Sequence, residues 1–78
     1  VTENKLRQLV EQNQNVMHID LLQTRIFGNK IYVDIEIALD GTLTLQEAHD
    51  IAEKVHDDIE SYFPKVKHIM VHVNPENK

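Results

Sequence analysis

A chain of 78 residues is long enough for one small core and too short for two, and such a core supplies only a few kcal/mol, so support from a second chain or a bound ion is expected. Thirteen acidic against eight basic side chains give a formal charge of −5, and no Lys/Arg run stands out along the chain, which excludes a nucleic-acid binder. The absence of cysteine excludes disulfides and thiolate zinc sites and leaves His, Asp, Glu, Asn and backbone oxygen as metal donors.

Residues from about Thr2 to Asn13 read as a short, polar helix, because Leu6, Leu9 and Val10 recur at helical spacing. An extended run from Val16 to Phe27 follows, then Gly28-Asn29, then Lys30 to Leu39, in which Ile31, Val33, Ile35, Ile37 and Leu39 alternate with other residues. Two strands joined by two turn formers predict a hairpin. With the turn at Gly28-Asn29, Ile26 faces Ile31, Thr24 faces Val33 and Leu22 faces Ile35, so one face is apolar. Arg25, Tyr32, Gln23, Asp34 and Glu36 take the other. Strict register puts Asp20 on the apolar face opposite Ile37, whereas a bulge near Leu21-Leu22 turns it towards Glu36.

Asp40-Gly41 ends the second strand, and Thr44-Leu45-Gln46-Glu47 has the form of a capping box. From there Leu45, Ala48, Ile51, Ala52, Val55, Ile59 and Tyr62 form an apolar helical stripe running to Phe63, and Pro64 stops the helix. A last strand is expected from Val66 to Val73, with Ile69, Val71 and Val73 on one face and His68, Met70 and His72 on the other. The order helix, strand, strand, helix, strand implies a single α+β domain. A crossover through the long helix makes the last two strands parallel, giving a three-stranded mixed sheet with helices on one face.

The polar sheet face carries the chemistry, because Asp34 and Glu36 on one strand and His68 and His72 on its neighbour stand about 5 Å apart, close enough to share a cation. A solvated face without a ligand is the plain alternative. On the long helix, His49, Glu53 and His56 lie along one flank at a spacing that suits either a metal or solvent. His18 has no partner that the sequence identifies. Enzyme activity is not expected: there is no nucleophile elbow and no His-Glu-x-x-His motif, and both glycines lie in turns.

From Asp20 to Pro75 the chain resembles the cytosolic C-terminal, dimerising domain of cation diffusion facilitator (cation efflux) transporters. The resemblance is carried by Arg25 to Gly28, Lys30-Ile31-Tyr32-Val33-Asp34-Ile35-Glu36, Asp40-Gly41, Thr44-Leu45-Gln46-Glu47-Ala48-His49 and Val71-His72-Val73-Asn74-Pro75, in order and at the right spacing. It implies a ferredoxin-like, metallochaperone-like α+β fold and a homodimer below the membrane. It also implies a zinc site near the subunit interface, whose positions fall here on Asp20, Glu36, His49, His72 and Asn74. Only His49 and His72 keep the histidine of zinc-transporting members; Asp20 and Glu36 replace histidine and Asn74 replaces aspartate. Oxygen donors shift preference from zinc towards manganese or iron(II), so zinc leads by family frequency and those two follow.

The expectation is therefore a metal-sensing, homodimeric domain on the cytoplasmic side of the cell membrane, part of a transporter that exports divalent cations. Its rival is a purely structural dimerisation module. No apolar run of about 18 residues and no signal peptide occurs in this stretch. A start at Val1 without Met, directly into a helical pattern, leads us to expect a fragment of a longer polypeptide whose membrane part lies upstream.

Overall fold

The computed structural model describes residues 3–76. Helix α1 (Glu3–Glu11) is followed by β1 (His18–Phe27), β2 (Lys30–Asp40), α2 (Leu45–Tyr62) and β3 (Val66–Glu76). The strand order is β1-β2-β3, with β1 antiparallel and β3 parallel to the central β2. This is the expected mixed sheet. Thr2, included in the expected first helix, lies outside the described residues, and the helix ends at Glu11, two residues before the expected Asn13.

β2 is central because it is the most apolar strand, and its Val33, Ile35, Ile37 and Leu39 are buried. They meet Leu22 of β1, Leu6 and Val10 of α1, Val55 and Ile59 of α2, and Val66 of β3 in one core. Both helices thus cover one face, and the even-numbered residues of β2 and β3 stay on the open face. The α2 stripe is narrower than its sequence suggests. Val55 and Ile59 are buried and Ala48, Ile51 and Phe63 are partly so, while Leu45 and Tyr62 at the two ends are exposed.

The hairpin register is the predicted one, with Ile26 opposite Ile31, Thr24 opposite Val33 and Leu22 opposite Ile35. Gly28 has φ 62 while no other described residue has positive φ, the arrangement of a type II′ turn. A Cβ at Gly28 would meet nothing within 4 Å, so only backbone conformation opposes a side chain there. Gly28→Ala should therefore cost about 1–2 kcal/mol in urea denaturation, without a change in the slope.

The capping box is present in full: the Glu47 N–H donates to Thr44 Oγ1 at 3.1 Å and the Thr44 N–H donates to Glu47 Oε1 at 2.9 Å. Thr44→Ala should cost about 1 kcal/mol by the same measurement. Further along α2, Lys54 donates to Asp58 at 2.7 Å, and that carboxylate holds the ammonium above its ordinary pKa.

β3 runs three residues past the expected Val73, to Glu76, carrying Pro75 within it. The edge position permits this, because the outward side of an edge strand needs no N–H donor. Gly41 N–H then donates to the Glu76 carbonyl at 2.9 Å and fixes the end of the sheet.

Candidate metal centre

The β1–β2 register slips between Ile19 and Leu21, so Asp20 is the extra residue of a bulge. Of the two orientations open to Asp20 in the sequence, the bulged one is found, displaced by one position from the Leu21-Leu22 pair. Ile19 stays opposite Ile37 on the core side, His18 falls opposite Ala38, and Leu21 falls opposite Glu36. On the other side of β2, Glu36 stands beside His72, Ala38 beside Asn74 and Asp40 beside Glu76.

This geometry gathers a polar cluster at one end of the open face. Asn74 Nδ2 donates to Asp20 Oδ2 at 2.9 Å and to Glu36 Oε1 at 3.0 Å, so a single amide holds carboxylates from two strands. Ala38 is the floor. It is buried although it belongs to the open face, because His18 and Asn74 flank it in register across the sheet.

His18 Nε2 lies 3.0 Å from Asp20 Oδ1 and 3.2 Å from Glu76 Oε2, and protonated it is an ion-pair partner for both. Glu76 Oε2 is shielded from water, and its approach to His18 lacks hydrogen-bond alignment, so it has no hydrogen-bonding hydrogen. Glu76 thus joins the cluster through His18, which stands between its Oε2 and Asp20.

Of the five positions expected from the sequence, Asp20 and Glu36 both contact Asn74, and His72 is next to Glu36 in register on the same face. His49 is elsewhere within the protomer. It projects from α2 on the helical side, largely exposed, 3.4 Å from Glu53, and lines a groove of about 530 Å³ with Val71, Val73 and Pro75. The sheet separates it from His72. The flank that reads His49, Glu53, His56 divides in two, with His56 turned to Asp57 at 3.5 Å. His56, Asp57 and Glu60 place ligating atoms within 4.8 Å of one another on an exposed helical surface.

His18 and Glu76 were missed as members of the cluster by sequence reasoning. His18 joins it only through the bulge, and Glu76 only through the extension of β3 beyond Pro75. A signal did exist: with the bulge placed at Asp20, counting back two residues sets His18 on the same face.

A mixed sheet carrying carboxylate, amide and imidazole groups on its open face, backed by two helices, defines a small α+β domain of the ferredoxin-like kind. Residues 1–76 match the model of the cation efflux protein cytoplasmic domain, and the chain belongs to that family. It is 33% identical over 67 residues to the manganese efflux system protein MneP of Bacillus subtilis, covering 86% of this chain and 23% of that protein. It is 34% identical over 73 residues to metal tolerance protein 7 of Oryza sativa subsp. japonica, covering 92% and 18%. The chain thus spans about a fifth of the length of these curated relatives. Among solved structures, MamM-CTD 215-293 superposes with a TM-score of 0.88 at 23% identity, covering 94% of this chain and 92% of that one, which is a likeness of fold. No helix among the described residues is long and apolar enough to cross a membrane.

Proposed function

We propose that this domain is the homodimeric, metal-sensing cytoplasmic part of a divalent-cation efflux transporter, and that Asp20, Glu36, His72 and Asn74, with His49 of a neighbouring protomer, form its cation site. The observation that carries this reading is the clamp of one Asn74 amide on the carboxylates of Asp20 and Glu36. These carboxylates come from separate strands and are held on one face at a distance where their charges repel. A cation there replaces the amide as the shared partner and attracts both.

The donors are mostly oxygen, with imidazole in the minority, which suits a harder ion than an all-histidine site does. The manganese efflux relative points the same way, so manganese or iron(II) moves ahead of zinc. Two chains double the formal charge of −5, and repulsion between exposed charges at physiological salt acts within about 8 Å. Cations bound where two protomers meet offset it and favour a closed pair. Cytosolic ion concentration then biases the attached membrane segments by mass action.

Titration with manganese, iron(II) and zinc, read by thermal melting, tests the proposal. An ion at 100 times its dissociation constant adds about 2.7 kcal/mol to stability. The double variant His49→Ala, His72→Ala should lose most of that shift. A wild-type chain whose melting is the same with each ion and with a chelator leaves the structural dimerisation module as the reading.

A further inference from the structure

Basic residues that are scattered along the chain are collected by the fold at one end of the sheet. Residues 24–33 contain Arg25 and Lys30 and no acid, and residues 63–69 contain Lys65, Lys67 and His68 and no acid. The register sets these two stretches side by side, with Tyr32 between Arg25 and His68, and Ile31 beside Val66. Among the described residues of the sheet, the opposite end carries Asp20, Glu36, Asp40 and Glu76 and no base other than His18 and His72. Arg25, Lys30, Lys65 and Lys67 are all exposed, and none of them is ion-paired among the described residues. Behind the sheet, on the helix side, the Glu3 carboxylate accepts from Thr24 Oγ1 at 3.4 Å.

At the tip of this basic end, Ile26 is 70% and Phe27 60% exposed. Phe27 packs edge-on to Tyr32 with ring centroids 5.3 Å apart, and Tyr32 stacks on His68 at 4.6 Å. An exposed apolar tip, an aromatic platform behind it and a rim of unpaired cations are the three features with which a protein surface seats in the headgroup layer of a membrane.

We propose that the hairpin-tip end of the sheet is a docking surface for an anionic lipid bilayer, with Ile26 and Phe27 entering the headgroup layer and Arg25, Lys30, Lys65 and Lys67 meeting its negative charge. The formal charge of −5 does not oppose this, because Asp20, Asp40 and Glu76 lie five to ten residues along the strands from Arg25, Lys30 and Lys67, about 16–33 Å at the strand rise and beyond the screening length of about 8 Å; Asp34, two residues along β2 from Tyr32, is nearer. Each basic side chain near such a surface strengthens partitioning about fivefold. The proposal is independent of cation binding at the other end.

The test is co-sedimentation of the 78-residue chain with vesicles of phosphatidylcholine, with and without phosphatidylglycerol, in the presence of a chelator. Because the chain has no tryptophan, Phe27→Trp also supplies a single indole at the tip. Binding to the anionic vesicles is expected, with a blue shift of the indole emission. The combined variant Lys30→Glu, Lys65→Glu, Lys67→Glu should weaken it by at least about a hundredfold. Lys54→Glu, a charge reversal on the exposed flank of α2, should leave the indole shift intact and weaken partitioning far less. Equal partitioning to neutral and anionic vesicles overturns the proposal, as does an equal loss from Lys54→Glu and the triple variant. Concentration-dependent self-association abolished by the triple variant would assign the surface to a second copy of the chain and overturn it as well.

Discussion

Replacing Ile35 by alanine is expected to remove about 2–5 kcal/mol of stability, the range for deleting a fully buried aliphatic side chain that its neighbours cannot refill. Ile35 is 0% exposed, at the middle of the central strand, with Leu22 opposite it on one side and Val71 on the other. Strands of a sheet cannot close inward around the missing methylenes as loops can. A chain of 78 residues has about 4–12 kcal/mol in total, so the variant retains a marginal fold or none. Urea denaturation measures the change, and a loss below about 1 kcal/mol would show that the core is centred elsewhere.

Asn74→Asp should have the second largest effect, and its sign depends on whether a cation is present. Without one, the change removes both amide hydrogen bonds and sets a third carboxylate beside Asp20 and Glu36. The expected cost is about 1–3 kcal/mol, moderated because Asp20 is still 35% exposed and water screens part of the repulsion. With manganese, the same third carboxylate becomes a donor, so the ion should raise the melting temperature of this variant more than that of the wild type. Melting curves for both proteins, with ion and with chelator, give all four values. An equal shift in the two proteins would show that the ion binds away from Asn74.

Much of the fold was legible because it depends on local rules. Alternation in residues 31–39 has a period of two and admits one buried face, and Gly28 fixes the register by allowing the one positive φ the turn requires. Thr44 and Glu47 mark a helix start through hydrogen bonds that span three residues. The cluster was legible only in part, because its assembly depends on two exceptions to those rules. One is the bulge at Asp20, which alternation alone does not place; the other is Pro75 within a strand, which is allowed only because β3 lies at the edge. Both exceptions involve tertiary context. The basic end escaped linear reading for a similar reason, since Arg25 and Lys67 are far apart in sequence and come to the same end of the sheet only because β2 pairs with β1 on one side and with β3 on the other.

The extra residue in β1 gives the molecule slack where it is most useful. Asp20 has no Cα partner in the ladder between Ile19 and Leu21, so its carboxylate is able to shift without breaking the cross-strand bonds on either side. A rigid strand would have to trade backbone pairing for any such displacement. Here the scaffold stays intact while one side chain travels, which lets a sheet only three strands wide adjust its grip at little cost to its own integrity.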